Sequence, residues 1–460
     1  MKLVVVGGDA AGMSAASQAR KRLGDELRTV VFERGHFTSY SACGIPYWIG
    51  GAVDDRDALI ARSPEAHREA GLDVRLRHDV VGIDLDRREV VARDLEGGGE
   101  VRERFDHLVY AAGATPVTPP WARVRGGGVF GVQTLDDGDA IHRWLDRRPA
   151  PRTAVVIGGG YIGVEMAEAM IRRGLDVTLL EKNSQPMKTT VDPDIGGLIR
   201  DAIAGEGVRV RTNAHVDGLD MRDGRVQGVL TPEGTLPADV VVLGLGVRPN
   251  TGLAAKAGIP LGVTGGLRTD LRMRVVGEDG PIQGVWAAGD CVETTHLISG
   301  RPVHVPLGTH ANKQGRVAGI NIGGGYATFP GVIGTAVTKV CNLEVARTGL
   351  TEKEAAASGY AFVTATVEST SRAGYYPGAE PMVIKLIAER RTGLLLGAQI
   401  VGRDEAAKRI DALAVAVWNR MTVEAMTALD LGYAPPFAPV WDPVLIAARK
   451  ATEAVHAAAP

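Results

Sequence analysis

The chain has 460 residues, 23% charged and 45% hydrophobic, with a formal net charge of −2. Those values suit a globular protein of about three domains, and a near-neutral chain with no Lys/Arg-rich tract excludes a nucleic-acid partner. Three cysteines, Cys43, Cys291 and Cys341, are too few for a disulfide framework and predict a reducing compartment.

The chain opens on a short apolar strand, residues 3–6, and turns glycine-rich too soon after Met1 for a signal peptide. No apolar run approaches the ~20 residues of a membrane span. The sequence therefore predicts a cytoplasmic protein. Gly7-Gly8-Asp9-Ala10-Ala11-Gly12 follows, then an Ala-rich helix to about Arg22 and a second strand that ends at Glu33. This is the βαβ dinucleotide pattern: glycines make the turn, the helix N-terminus faces the pyrophosphate, and the acid takes ribose hydroxyls. Gly7, Ala10, Ala11, Gly12, Glu33 and the adjoining Arg34 are the candidate cofactor contacts. Asp9 stands where the second glycine of G-x-G-x-x-G belongs, so the motif is degenerate.

Next comes Ser39-Tyr-Ser-Ala-Cys43-Gly-Ile-Pro46-Tyr-Trp48-Ile-Gly-Gly51. A cysteine on a Gly/Pro-broken segment beside a nucleotide fold is a candidate redox thiol, because the thiolate reacts and a helix N-terminus would favour it. The alternative is a small buried hydrophobe, the usual fate of a free cysteine. Residues 105–116 then read as a strand ending in Ala111-Ala112-Gly113-Ala114, small residues where backbone approaches something closely.

A complete glycine motif follows in mid-chain. Val155-Val156-Ile157 leads into Gly158-Gly159-Gly160-Tyr161-Ile162-Gly163, a helix to about Arg173, and a strand ending on Glu181-Lys182. Two such units predict two nucleotides, a held flavin and an exchanging nicotinamide. Val285-Trp-Ala-Ala-Gly-Asp290 ends a strand on an acid that either accepts from ligand hydroxyls or caps the next helix. A helix is predicted over Asn312–Ile322. Beyond Gly325 the pattern changes to strand-like runs at 332–339, 343–347, 361–368, 382–389 and 394–401. One long helix from about Asp404 to Met421 and a short one from Val423 complete an α+β unit.

Taken together, both glycine turns, Glu33, the Ala-Ala-Gly-Ala-Thr-Pro and Ala-Ala-Gly-Asp segments and Gly246-Val-Arg-Pro-Asn250 resemble the two-dinucleotide-domain flavoprotein disulfide reductases over essentially the full length. The resemblance implies an α/β fold of two Rossmann-like, glutathione reductase-like domains and a C-terminal α+β dimerisation domain. It places a discontinuous FAD domain at 1–115 and 250–324, an NAD(P)H domain at 116–249 and the dimerisation domain at 325–460. FAD would contact the first turn with Ser39, Ala112, Gly113 and Asp290. NADH or NADPH would contact Gly158, Gly160, Tyr161, Ile162, Gly163, Glu181, Lys182 and Gly246. Glu181 favours NADH, because a carboxylate there repels a 2′-phosphate, an effect that Lys182 partly offsets.

The residue five after Cys43 is Trp48, so the Cys-x4-Cys pair of two-cysteine members is absent and the chain is similar to the single-cysteine branch. Within it, coenzyme A-disulfide reductases match at Gln18, Arg22, Ser39, Cys43, Pro46 and Tyr47, and in the segments around Tyr375 and Tyr433. The match implies a mixed disulfide between Cys43 and coenzyme A, with both tyrosines reaching across a homodimer to the partner's cysteine. Gln18, Arg22, Ser39 and Arg62 would bind the substrate, since arginine forks suit phosphates. Ala42 departs from the asparagine usual before the cysteine, and no rhodanese-like module follows, which weighs against fused persulfide reductases. Ala10 stands where peroxidase and oxidase members carry histidine. An NADH oxidase acting on oxygen at Cys43, or a redox-sensing electron-transfer flavoprotein in which Cys43 is structural, are the competing readings. Cys291 and Cys341 read as buried bystanders, and no metal spacing is present.

Overall fold

A computed structural model describes residues 1–124 and 127–458. The first sheet orders its strands Arg274–Val276, Pro281–Ala287, His107–Tyr110, Lys2–Val6, Arg28–Phe32 and Leu72–Arg75. All neighbours are parallel except the first pair. Leu3, Val4 and Val5 are fully buried, as expected of strands covered on both faces, which read as continuous apolar runs. Because Pro281–Ala287 returns to this sheet from far down the chain, it brings Asp290 beside the N-terminal turn.

Two helices cross on one face, Ala10–Leu23 and Gly308–Ile322. A Cβ on Gly315 would lie 2.2 Å from the Ala11 carbonyl oxygen, and one on Gly319 would lie 2.4 Å from that of Ala15. Glycine at those positions sets the closeness of the crossing. The second helix begins four residues before the predicted Asn312.

The second sheet holds five parallel strands in the order Arg209–Arg211, Asp176–Leu180, Thr153–Ile157, Val240–Leu243 and Val129–Phe130. The third is antiparallel, ordered Ala336–Val340, Leu343–Gly349, Leu395–Gly402, Pro381–Glu389 and Phe362–Thr370. Its five strands follow the predicted runs closely. Two three-stranded sheets, within residues 78–104 and 218–237, had no prediction.

The predicted Asp404–Met421 helix is instead a turn, a short 3-10 segment and a helix confined to Ile410–Trp418. Asp404 and Glu405 take φ +25° and +67°, outside any right-handed helix, and Arg420 closes the far end at φ +55°. The C-terminal helix Pro443–Ala458 was not predicted. Its start is a cap: Asp442 accepts from Val444 N at 2.8 Å, and proline occupies the first turn. Among the described residues, no helix is long and apolar enough to cross a membrane.

Candidate active site

The first glycine turn is built around positions that admit no side chain. Gly7 has φ +102°, and a Cβ there would sit 2.1 Å from the Ala111 carbonyl oxygen; one on Gly12 would sit 1.9 Å from the Gly7 oxygen. Glu33 lies beneath the turn, accepting from Gly8 N at 2.7 Å and Gly35 N at 2.6 Å. Gly289, at φ +86°, lets the residue before Asp290 pass close to Ala11, where a Cβ would lie 2.9 Å from the Ala11 Cβ, while Ala288 and Ala311 close the floor. Burial holds the Asp290 carboxyl above its ordinary value, and His304, bonded to the Asp290 carbonyl at 2.7 Å, opposes the shift. Asn250 fixes the Ala112–Gly113 segment through both backbone carbonyls, at 2.8 and 2.9 Å. Turn, acid, Asp290 and Ala112–Gly113 therefore meet at one sheet edge. Arg34 is exposed beside them, with its carbonyl accepting from Arg77. A glycine cradle, a helix N-terminus and a ribose-level carboxylate together fit FAD.

The second turn repeats this geometry. Gly158 has φ +100° and Gly163 abuts the Gly158 carbonyl. Glu181 is buried, accepting from Gly159 N at 2.7 Å and from Asn183 N and Nδ2 at 2.7 and 2.6 Å. Oε1 takes both Asn183 bonds, so Oε2, with the Gly159 bond alone, keeps acceptor capacity for a hydroxyl. Lys182 points to solvent and Ile162 is half-buried. The Tyr161 phenol is pushed up to about 12 by burial, against the Arg347 guanidinium and a hydrogen bond to Thr190. Among the described residues, and apart from its chain neighbours, none comes within 4 Å of a Cβ built on Gly160, and Gly246 turns the chain at φ +82°. The same physical cradle suits the pyridine nucleotide.

Cys43 sits in a 3-10 turn, Ala42–Gly44, that runs into the helix Ile45–Ile49 with Pro46 in its first turn. The turn is fastened to the 59–67 segment: Ser41 N donates to Leu59 O at 2.8 Å, and Ala61 N to Ser39 O at 2.8 Å. Ser39 is left-handed at φ +52°, and its hydroxyl lies 2.9 Å from Nε2 of the buried His67. The short helix packs on Tyr161–Arg172, with Arg172 Nε donating to Gly50 O at 3.1 Å.

Cys43 is exposed, yet its thiol is raised, first by partial desolvation and then by the charges of Glu165, Asp290 and Asp9. The expected thiolate-favouring helix N-terminus is thus outweighed: a five-residue helix faces three carboxylates. Glu165 is itself pushed up to about 7 by burial while accepting from Thr338 Oγ1 at 2.6 Å. Tyr47 is pushed up to about 12 by burial and then by Glu165 and Glu168, and Glu168 accepts from Cys341 N at 2.7 Å. Sequence reasoning missed Glu165, although it lies two residues past the glycine motif. Cys291 is buried, bonded to the Tyr110 and Ala288 carbonyls, and pushed up to about 12 by burial. Cys341, expected to be buried, is only half-buried, and desolvation followed by the charges of Glu168 and Glu206 pushes its thiol up to about 12.

The proposed substrate residues separate. Gln18 lines a cleft of about 380 Å³ with Ser14, Ser17, Lys21, Asn312, Lys313 and Arg316. Arg22 instead folds back on the end of the second crossing helix, donating to Gly323 O at 3.3 Å. Arg62 is exposed and acts on His67. Tyr375 and Tyr433 are brought together on the surface, 78% and 49% exposed. The Tyr433 phenol is raised by slight desolvation and by its hydrogen bond with Tyr375.

Two family models match, pyridine nucleotide-disulphide oxidoreductase over residues 1–315 and the dimerisation domain of that family over 335–443. The chain belongs to the pyridine nucleotide-disulphide oxidoreductase family. It is therefore an oxidoreductase that uses FAD and NAD(P)H. The NAD(P)H coenzyme A polysulfide/persulfide reductase of Pyrococcus horikoshii is 38% identical, over 97% of this chain and 98% of that one. The NADH oxidase of Methanocaldococcus jannaschii is 34% identical over 98% of each. Among solved structures, the NAD-dependent persulfide reductase from A. fulgidus superposes with TM-score 0.94 at 38% identity, covering 98% of this chain and 83% of that one.

Proposed function

We propose that this family member reduces coenzyme A disulfide, or the closely related coenzyme A persulfide, with NAD(P)H through a mixed disulfide on Cys43. The observation that carries the reading is the cleft on the Ala10–Leu23 helix, which gathers Lys21, Lys313 and Arg316. Coenzyme A offers phosphates to such cations at one end and a sulfur at the other. A helix rises ~1.5 Å per residue, so Gln18–Lys21 lie about 12–17 Å from Ala10. An extended thiol arm spans that distance toward the Cys43 turn. The Pyrococcus horikoshii relative and the coenzyme A disulfide reductase of Staphylococcus epidermidis, 28% identical over 95% of this chain and 96% of that one, support the same substrate class.

FAD, when bound, supplies the two-electron relay between nicotinamide and sulfur. Cys43 attacks one sulfur of the disulfide, forming the mixed disulfide and expelling one thiolate. Two electrons then break that bond, releasing the second thiolate and restoring Cys43. In the dimer, Tyr375 and Tyr433 of one protomer face the partner's cysteine, where a phenol protonates the leaving thiolate. Ser39 and Gln18 position the arm, and Glu181 favours NADH.

Intact mass before and after reductant tests the substrate. Loss of one coenzyme A mass, absent in Cys43→Ser, is the expected result; disulfide reduction surviving in Cys43→Ser sinks the thiol mechanism. The Methanocaldococcus jannaschii relative favours an oxidase as the second reading. Oxygen uptake with NADH alone, faster than disulfide turnover, would select it.

A further inference from the structure

Asp9 occupies the place in the first glycine turn where a glycine ordinarily lets the backbone approach the pyrophosphate. It stands at the N-cap of the Ala10–Leu23 helix in an extended conformation, yet makes no side-chain cap bond there. Its carboxylate instead accepts from Tyr40 N at 3.2 Å, tying the turn to the segment that carries Cys43. The other charges acting on it are Glu33, at the end of one strand, and Asp290, at the end of another. A dinucleotide pyrophosphate adds further negative charge to a turn already ringed by three carboxylates.

We propose that Asp9 binds a proton when FAD binds, so that the chain holds its flavin with Asp9 as a neutral acid bonded to the Tyr40 amide. Burial and the two neighbouring carboxylates already push Asp9 up to about 6 without the dinucleotide. Like charges that cannot all ionise share their protons, and the added phosphates extend that repulsion. The remaining groups nearby are Tyr40, Cys43 and His304. Tyr40 and Cys43 are raised away from the neutral range, and Asp136 and Asp137 act on Tyr40 rather than on Asp9. His304 touches Asp290, and Glu165 lies across the Cys43 turn. Glu165, pushed up to about 7 in its own right, and His304 serve as controls.

The sign follows from linkage. Below the FAD-free value near 6, Asp9 is already protonated and pH has no effect. Above it, each proton must be taken from solvent, and the apparent FAD dissociation constant rises by up to tenfold per pH unit. Flavin release from diluted holoenzyme, followed by flavin fluorescence, reads this directly and is independent of disulfide turnover. Wild type is expected to lose affinity at least about tenfold between pH 6 and pH 8. Asp9→Asn, which keeps the acceptor oxygen for Tyr40, is expected to bind with little pH dependence, as is Asp9→Gly, which restores the usual residue. Glu165→Gln and His304→Gln should keep the wild-type slope. A flat wild-type profile, or a slope that survives in both Asp9 variants, overturns the proposal.

Discussion

At the scale of single residues, the site shows a mismatch between a thiol that the proposed mechanism must ionise and surroundings that resist it. Glu165 and Asp290 act against the Cys43 thiolate, as does Asp9 while FAD is absent, so proton delivery to departing sulfur is assigned to groups outside that ring. Tyr433→Phe is therefore expected to lower kcat for disulfide reduction about 100-fold, the usual worth of a positioned general acid, with FAD content unchanged. Equal turnover in the variant would assign the phenol to packing. Glu165 gives a pH prediction. Its folded value, about 7, lies above that of the unfolded chain, so the folded state binds the proton more tightly. Stability is lost as pH rises from the ordinary carboxylate range through 7. Glu165→Gln, which retains an acceptor for Thr338, should exceed wild type by on the order of 2 kcal/mol at pH 8. That gap should close as pH falls below about 4 in denaturant titrations.

At the scale of elements, the third sheet is fastened to the nucleotide unit by an ion cluster whose Lys385 and Asp192 are buried and whose Asp194 and Glu352 reach solvent. Lys385, on Pro381–Glu389, lies 2.5 Å from Glu352, 2.8 Å from Asp194 and 3.4 Å from Asp192. Gln399 on the adjacent strand donates to Asp192 at 2.6 Å, and Asp192 N returns a bond to Gln399. Burial works against the Lys385 ammonium, but Asp194 and Glu352 hold its pKa above the ordinary value. Lys385→Met leaves Asp192, 3% exposed, without its countercharge. The expected loss is about 3–5 kcal/mol, read by chemical denaturation. A neutral result would mean that water reaches Asp192 and replaces the ammonium.

At the scale of the whole molecule, one face of the C-terminal unit stays apolar and exposed: Tyr375, Phe437, Val440 and Trp441 are 78%, 65%, 67% and 54% exposed. A patch of this kind marks an association surface, and the dimerisation domain of the family lies there. The double variant Val440→Glu with Trp441→Glu should elute as a monomer in size-exclusion chromatography with light scattering. Because Tyr375 and Tyr433 belong to the same face, disulfide reduction should fall with dimer content while FAD retention does not. Full activity in a monomer would show that each chain completes its own site.

Spacing along the chain was enough to find the glycine turns, Glu33, Glu181 and Cys43, because turn geometry and a strand-end acid are local requirements that leave a local signature. The five strands of the C-terminal sheet were legible for the same reason. Asp404 and Glu405 were not, since their left-handed backbone is imposed by packing and neither residue type announces it. Lys313 and Arg316 lie almost 300 residues from Gln18 in sequence, and nothing local to them points to a ligand. Only the glycine-bounded crossing of two helices turns them into a cleft. Arg22 was expected to bind substrate through the family match, but its guanidinium donates to the end of the second helix. Residue spacing thus located the two nucleotide turns and the cysteine proposed to react. The meeting of distant helices and strands decided what surrounds that sulfur, because charge and burial act through space.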